Sequence, residues 1–367
     1  MKTILPDYDN CITNLACSVL SYYGAEAPHR GLPAVDGLLA ALQPDHIVVL
    51  LADGLGSRIL ERTLPENSFL RKNHFCDISS VFPPTTVAAT TSMLSGLNPS
   101  ETAWLGWDTW FPDEGQSVTT YLNVVKDTDQ KIEGPNLAEL HMPYTHLRDR
   151  LNATGNVTAN EISPYGDMPY KKPSRIPDMI RSLPDCGPRF LYVYLIEPDE
   201  KLHLFGTGSL EAAKKIEEID RLAEEIFDAL PERSVLIVTA DHGHLNATFE
   251  SLADYPELFG MLSHNTSMDP RAASLFVKDG MQEEFRRLFE KTFGSDFLLF
   301  TREEALEKEL FGPGEIHGMT ERIIGDFVAA AVSDKCLYYN GGPSNMKSTH
   351  AGMTEDEMLI PVCAVSK

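Results

Sequence analysis

Four short apolar runs constrain the fold of this chain more than any other feature of its sequence. They are rich in β-branched or aromatic residues and do not alternate with polar ones, as expected for strands that are covered on both faces. Helical patterns separate them, most clearly over Leu210–Leu230, where apolar residues recur at three- to four-residue spacing. Strands alternating with helices predict an α/β fold with a mainly parallel central sheet and helices on both faces. The four strands are predicted at His46–Ala52, Ile78–Phe82, Phe190–Ile196 and Val235–Ala240.

One long polar segment interrupts this alternation. Residues Tyr121–Lys172 contain several Gly and Pro residues and no strong apolar run, which is typical of an insertion and not of sheet core. We therefore expect one catalytic domain over residues 1–367 with a lid or cap segment at 121–172 inside it. Weaker strand patterns follow at Ala273–Lys278, Phe297–Phe300 and Met358–Val365.

Composition excludes several classes of partner. With 43% apolar residues the chain can bury a large core, but 54 acidic against 31 basic residues give a net charge of −23. Nucleic-acid polymers and anionic membrane surfaces need clustered Lys and Arg, so neither is expected as a partner. The N-terminal residues resemble no signal peptide, no apolar run is long enough to span a membrane, and the six cysteines are scattered. These features predict a cytoplasmic protein with reduced thiols.

Polar residues whose side chains can react or bind a metal stand directly after each of the four predicted strands. In an open parallel sheet, ligands bind beyond the carboxyl ends of the strands, so these residues are expected to converge at one edge. A metal is the best explanation of two imidazoles and a carboxylate in Asp241-His242-Gly243-His244, since such groups are costly to bury unpaired. The full set is Asp53, Thr85-Thr86, Asp199 with His203, and Asp241-His242.

Each of these residues also has an ordinary structural interpretation. Asp53-Gly54 fits a turn, Thr86 fits a helix N-cap, and Asp199 and His203 fit a solvated pair at helical spacing. Their joint occurrence favours a metal site. Oxygen and nitrogen donors without a nearby cysteine favour Zn²⁺ over Mn²⁺ or Mg²⁺. Two such ions would stabilise the attacking and leaving oxygens of a displacement at phosphorus.

Five motifs together resemble the alkaline phosphatase superfamily, and within it the nucleotide pyrophosphatase/phosphodiesterase branch. They occur in the family's order between about residues 46 and 365, and so cover nearly the whole chain. The elements ADHG and EPDxxxH, with the downstream histidine, are the most specific, whereas FPPTT alone is weak. The motifs are LLADGLG, VFPPTTVAATTSMLSGLNPSETAWLGW, IEPDEKLHLFG, TADHGH and HAGMTEDEMLIPV.

The resemblance implies an alkaline phosphatase-like fold, two metal ions and a threonine nucleophile. Thr86 would attack phosphorus to form a covalent phosphoryl-threonine, which water then hydrolyses. The implied activity is cleavage of small phosphate diesters or nucleotide pyrophosphates. A phosphomonoesterase or phosphonate-cleaving relative is the alternative, and a non-catalytic metal-binding protein is the least favoured reading. One metal subsite would consist of Asp53, Thr86, Asp241 and His242, and the other of Asp199, His203 and His350.

The chain departs from the family's pattern on the substrate side of the site. The branch usually carries an Asn that donates to a phosphate oxygen, and the corresponding place here holds Trp107, next to Asp108. Both residues, together with Tyr165 of the inserted segment, are candidates for contact with a small phosphate ester or nucleotide. We expect His244 to play a structural or supporting role, and not to be one of the ligands.

Overall fold

The structure, a computed structural model, describes residues 1–128, 130–184, 187–343 and 345–367. In these residues the strands are β1 His46–Ala52, β2 His74–Ser79, β3 Asp108–Phe111, β4 Gln116–Thr119, β5 Val124–Val125, β6 Thr158–Ile162, β7 Arg189–Leu195, β8 Ser234–Thr239, β9 Leu245–Asn246, β10 Thr248–Ser251, β11 Ser267–Asp269, β12 Ala272–Leu275, β13 Phe297–Thr301, β14 Phe327–Ala331, β15 Lys335–Tyr338, β16 Ser348–Thr349 and β17 Leu359–Ser366. The α-helices are α1 Ile12–Tyr22, α2 Pro33–Leu42, α3 Ser57–Thr63, α4 Phe69–Lys72, α5 Thr86–Ser95, α6 Pro99–Thr102, α7 Leu137–His141, α8 Leu147–Ala153, α9 Ile176–Arg181, α10 Asp199–Phe205, α11 Leu210–Ala229, α12 Pro256–Met261, α13 Gln282–Phe293, α14 Arg302–Glu307, α15 Thr320–Ile323 and α16 Glu355–Met358.

The central sheet is mostly parallel, which confirms the predicted fold class. Within the described residues its strand order is β2–β17–β8–β1–β7–β6. β1 pairs in parallel with β7 and β8, and β6 in parallel with β7, whereas β17 runs antiparallel to both β8 and β2. Residues Ile47–Ala52 of β1 are all buried, because helices cover both faces. Helix α1 contacts α2, α5 and α8, and helix α11 contacts α3, α4 and α9.

The predicted strands agree closely with the observed ones, apart from the second. The prediction at Ile78–Phe82 begins four residues too late, since β2 spans His74–Ser79. β2 is an edge strand whose first two residues are exposed, so its apolar pattern starts only where the strand becomes buried. A search for apolar runs therefore finds the inner half of such a strand and misses the outer half.

A second, fully antiparallel sheet packs a separate part of the core. In the described residues its order is β13–β14–β12–β11–β3–β4–β5. Two further core clusters accompany it, one around Phe82, Trp104 and Phe111 and another around the phenylalanines of α13. The weaker predictions at Ala273–Lys278 and Phe297–Phe300 correspond to β12 and β13, but the sequence did not indicate that they belong to a sheet of their own.

The predicted insertion at residues 121–172 contributes to both sheets. β5 ends the antiparallel sheet, and β6 pairs with β7 at the edge of the central sheet with Ala159 and Ile162 buried. Residues 158–162 are thus part of the central sheet. Asp129 lies outside the described residues, and closure of the remaining segment over a ligand stays a prediction. In the described parts of the chain, no helix has the length and apolar character needed to cross a membrane.

Candidate active site

Thr86 stands at the start of α5, directly beyond the buried core of the central sheet. Its Oγ1 lies 3.4 and 3.5 Å from the two carboxylate oxygens of Asp53 and 3.2 Å from Nε2 of His242. Amides in the first turn of a helix lack intrahelical acceptors and give that end a partial positive charge. The hydroxyl therefore lies where developing negative charge is stabilised.

Two carboxylates and one imidazole form the first cluster around this hydroxyl. Asp53 follows β1 and Asp241 follows β8, which is the neighbouring strand, so their side chains meet at the same sheet edge. Nε2 of His242 lies 3.4 Å from Asp53 Oδ1 and 3.5 Å from Asp241 Oδ2. Burial, together with the charges of Asp241 and Asp199, holds the pKa of Asp53 well above its usual range. Such a pair of buried carboxylates needs a proton or a cation between them.

Asp241 is held in place through only one of its two carboxylate oxygens. Its Oδ1 accepts hydrogen bonds from the backbone N–H groups of Gly54 and His242, both at 3.0 Å. Its Oδ2 is buried and has no hydrogen-bond partner in the described part of the chain. A buried, unpartnered carboxylate oxygen is costly, and a metal ion is the ordinary way to satisfy one.

The second cluster gathers imidazoles around one carboxylate, that of Asp199. Asp199 and His203 lie one turn apart on α10, with His203 Nε2 3.3 Å from Asp199 Oδ1. Nε2 of His350 lies 4.0 Å from the same oxygen, and its ring stacks on that of His242 at 3.7 Å. Burial alone would raise the pKa of Asp199, but His203 and His244 more than offset this and hold it well below its usual range.

The histidines are oriented by hydrogen bonds on the side that faces away from the clusters. Nδ1 of His203 lies 2.8 Å from the carbonyl oxygen of Ser348, and Nδ1 of His350 lies 3.1 Å from that of Pro84. Nδ1 of His242 likewise lies 3.1 Å from the carbonyl oxygen of Gly243. A carbonyl accepts only, so each of these Nδ1 atoms carries a proton and each Nε2 is the ring nitrogen that faces the cluster. This is how histidine is prepared for metal binding.

His244 is closer to the cluster than the sequence led us to expect. Its Nε2 lies 2.6 Å from Asp199 Oδ1, and its Nδ1 lies 3.2 Å from Ser348 Oγ, whose own proton goes to the carbonyl of Leu202. Burial is the main cause that lowers the pKa of His244, to about 3. His244 thus belongs to the second cluster geometrically, alongside the residues named by the motifs.

Among the residues that the structure describes, two sets of side chains could hold a metal ion, and they share one residue. In each set the ligand atoms lie within 4.8 Å of one another. The shared residue, His242, places the two candidate sites side by side, and the carboxylate and imidazole donors suit Zn²⁺ or a similar divalent ion. The sets are Asp53, Asp241 and His242, and Asp199, His242, His244 and His350.

The three candidate substrate contacts have different surroundings. Trp107 is 42% exposed and meets Tyr121 edge to face at 6.5 Å. Asp108 is engaged by Lys126 Nζ and by the hydroxyl of Thr119, both at 2.8 Å, so its carboxylate already has partners. Tyr165 is 83% exposed. Contact of these residues with a substrate stays a prediction.

Two residues of the site were missed by sequence reasoning. The hydroxyl of Tyr194, on β7, donates a hydrogen bond to Asp53 Oδ2. The buried Asp269, at the end of β11, accepts a hydrogen bond from the backbone N–H of Trp107 at 3.2 Å. The position of Tyr194 at the end of a predicted strand was a usable signal, whereas Asp269 comes from a sheet that the sequence did not reveal.

With this geometry established, the chain can be placed among known proteins. Residues 47–353 match the family described as Type I phosphodiesterase / nucleotide pyrophosphatase, which spans most of the chain. The protein belongs to this family of hydrolases, as its motifs indicated. No curated protein matches its sequence.

Several solved structures share the fold of this chain. Murine ectonucleotide pyrophosphatase/phosphodiesterase 5 superimposes with a TM-score of 0.65 at 18% identity over 88% of each chain. An inactive threonine-to-alanine variant of the same murine protein, in complex with AMP, gives 0.65 at 18% over 87% of each chain. The human counterpart gives 0.62 at 16% over 87% of each chain. At such identities the likeness establishes the shared fold.

Proposed function

We propose that this protein hydrolyses small phosphate diesters or nucleotide pyrophosphates, with Thr86 as the nucleophile and two divalent metal ions, preferably Zn²⁺. The observation that carries the proposal is the position of Thr86 Oγ1, within 3.5 Å of both Asp53 and His242 at the start of a helix. Family membership supports the reaction class. The unpartnered Oδ2 of Asp241 and the inward-facing Nε2 atoms support the two metal ions.

The residues present suit two neighbouring ions. Asp53, Thr86, Asp241 and His242 would hold one, and Asp199, His203 and His350 the other, with His244 beside them. When bound, such ions supply positive charge that stabilises the attacking, leaving and non-bridging oxygens at phosphorus.

Thr86 then reacts by double displacement. Its hydroxyl lies 3.4 Å from Asp53 Oδ1 and 3.2 Å from His242 Nε2, and either group can accept the proton. The Thr86 oxygen forms a bond to phosphorus while the bond to the leaving-group oxygen breaks, which gives a phosphoryl-threonine. Attack of water on the same phosphorus then breaks the bond to Thr86 and restores the hydroxyl. The first-turn amides of α5 face the negative charge that develops in both steps.

The charges near Trp107 favour a diester over a monoester. Asp269 and Asp108 both lie beside Trp107, and Lys126 is paired with Asp108 and not with Asp269 in the described residues. A monoester carries two negative charges at neutral pH and a diester only one, so these carboxylates repel the monoester more strongly. The protein's net charge of −23 likewise favours a small substrate over a nucleic-acid polymer.

Nucleotides are the substrates that the surroundings of Thr86 suit best. Tyr121 Oη lies 2.7 Å from Thr90 Oγ1, and the Thr90 hydroxyl donates to the carbonyl oxygen of Thr86 at 2.6 Å. Because Tyr121 also meets Trp107 edge to face, this aromatic pair lies one helical turn from the proposed nucleophile. Exposed aromatic rings at that distance are suited to stack on a base. The AMP complex of the murine structural relative agrees with this proposal.

A substrate panel tests the proposal directly. Purified protein is assayed on bis-p-nitrophenyl phosphate, the p-nitrophenyl ester of thymidine 5′-monophosphate and p-nitrophenyl phosphate, before and after treatment with a chelator. We expect kcat/KM to be highest for the nucleotide ester and lowest for the monoester, with activity lost on chelation and restored by Zn²⁺. Preference for the monoester would instead establish a phosphomonoesterase. Activity that resists thorough chelation would contradict the metal assignment.

A further inference from the structure

A fully buried ion pair lies behind the candidate metal site. Arg271 and Glu357 both have side chains with no exposed surface. They form a two-pronged contact, with Nε 2.6 Å from Oε1 and Nη2 2.8 Å from Oε2. Nη1 also donates to the carbonyl oxygen of Lys335 and Nη2 to that of Ser333, so the guanidinium makes four hydrogen bonds in all.

Glu357 connects this pair to the loop that carries His350. Its carboxylate also accepts from the backbone N–H of Gly352 at 2.7 Å and from the hydroxyl of Thr354 at 2.7 Å. A side chain at Gly352 would place its Cβ 2.7 Å from Arg271 Nη2, so only glycine fits against the pair. The backbone directly after His350 is thus fixed by the ion pair.

Glu357 also holds the loop that carries His242 and His244. The backbone N–H of Gly243, between these two histidines, donates to the carbonyl oxygen of Glu357 at 2.8 Å. A Cβ on Gly243 would come within 2.0 Å of the carbonyl oxygen of Asp356, which shows how closely the two segments approach. Glu357 therefore contacts the His350 loop through its carboxylate and the His242–His244 loop through its backbone carbonyl, and Arg271 ties the Glu357 side chain to the antiparallel sheet.

We propose that the Arg271–Glu357 pair is a positioning device that holds His242, His244 and His350 in register for metal binding. The inference rests on the metal site of the proposed function. Buried ion pairs often stabilise a fold no better than apolar residues of similar size, so fixing a single geometry is the better explanation of this one. Groups that orient metal ligands typically change metal affinity by about 10- to 100-fold.

Thr354→Val, with Thr301→Val as its matched control, separates an effect on the position of the histidine loops from an effect on the stability of the whole fold. Both threonines are N-caps whose helices carry a reciprocating glutamate in the first turn, Glu357 in one case and Glu304 in the other. Only the first lies near the histidine loops. Chelator-treated protein is titrated with Co²⁺ and followed by its visible absorbance. We expect Thr354→Val to weaken Co²⁺ binding about 10-fold and Thr301→Val to leave it unchanged, with similar decreases in Tm.

The double variant Arg271→Met with Glu357→Leu removes the pair without leaving a buried charge unpaired. We expect it to fold, to bind Co²⁺ at least about 10-fold more weakly than the wild type, and to show faster amide hydrogen exchange at residues 348–354 in the metal-free state. Wild-type Co²⁺ affinity in both this variant and Thr354→Val, with only Tm reduced, would overturn the proposal.

The same measurements distinguish a failure of the proposed metal site from a failure of the proposed positioning role. A wild-type protein that takes up no Co²⁺ contradicts the proposed metal site. The hydrogen exchange of the metal-free chain still tests whether the ion pair fixes the His350 loop, since that readout needs no metal. Unchanged exchange at residues 348–354 in the double variant would show that the pair does not position the loop.

Discussion

The central sheet and the antiparallel sheet contribute differently to the site. The side chains of the two His/Asp clusters come from loops at the edge of the central sheet, from α10, which follows β7, and from residues next to the short β9–β16 ladder. The antiparallel sheet contributes Asp108 and Asp269, and the loop that leads into it contributes Trp107. Under the proposed function, the reacting groups belong to one layer, and the residues proposed to face the substrate belong to the other. We expect substitutions in the first layer to lower turnover of every substrate, and substitutions in the second to change selectivity.

The largest effect is expected from Thr86→Ala. Loss of the nucleophile should lower kcat by on the order of 10³-fold or more for every substrate. Steady-state kinetics on a diester measures this. The control is Thr85→Val at the preceding position, where Oγ1 is buried without a hydrogen-bond partner in the described chain. Turnover by Thr86→Ala within tenfold of the wild type would show that another group attacks phosphorus.

Asp241→Asn should lower both metal content and turnover. The substitution removes the charge that the unpartnered Oδ2 offers to a cation. We expect bound metal, measured by elemental analysis, to fall from about two ions per chain to about one. Asp269→Asn is the matched control from the antiparallel sheet, because it also neutralises a buried carboxylate. Equal metal loss in both variants would show that metal binding does not depend specifically on the central-sheet residues.

Tyr194→Phe tests whether a hydrogen bond to Asp53, a proposed metal ligand, affects metal affinity. Its hydroxyl donates to Asp53, so its removal should weaken Zn²⁺ affinity by about 10- to 100-fold without changing the number of sites. Tyr192→Phe is the control on the same strand, since the Tyr192 hydroxyl is buried without a partner in the described residues. Competition with a chromophoric chelator gives both affinities. Identical values for the two variants would count against a role for Tyr194.

Trp107→Ala should change selectivity and leave the chemistry intact. We expect KM for a nucleotide ester to rise by roughly 3- to 10-fold, the size of one lost aromatic contact, with kcat nearly constant. A dialkyl phosphodiester should show almost no change, because it has no ring to stack. Trp110→Ala, which removes an indole stacked on His264 at 3.7 Å, provides the control. An equal fall in kcat for the nucleotide ester and the dialkyl phosphodiester would show that Trp107 affects the reaction itself and not selectivity.

Asp269→Asn should have the smallest effect on turnover and a clear effect on the pH dependence of stability. Burial raises the pKa of Asp269 to about 6, whereas in the unfolded chain it ionises near about 3.9. The carboxyl thus contributes stability at low pH that is lost as pH rises through about 6. The unfolding free energy of the wild type relative to Asp269→Asn should fall by on the order of 2 kcal/mol between pH 4 and 7. Urea unfolding with chelator present measures it, and a constant difference would contradict the shift.

The sequence by itself determined which candidate residues lie at the edge of the central sheet. Asp53, Asp199 and Asp241 follow short apolar runs rich in β-branched or aromatic residues, which are typical of buried parallel strands, and parallel strands bring their carboxyl ends to one edge. Their convergence with Thr86 follows from this rule and from the order of the motifs. The strand bounds were predictable for the same reason, except at β2, whose exposed outer half carries no apolar signal.

Only the tertiary structure decided how the second layer meets the first. Antiparallel strands as short as β3, β5 and β11 have weak patterns, and their partners lie far away in sequence, so no local signal indicates the pairing of Met268 with Asp108. For the same reason Asp269, the Arg271–Glu357 pair and the place of His244 beside Asp199 could not be predicted. Local periodicity specifies which residues are buried in a strand. Contacts between distant segments depend on packing, which only the folded chain fixes.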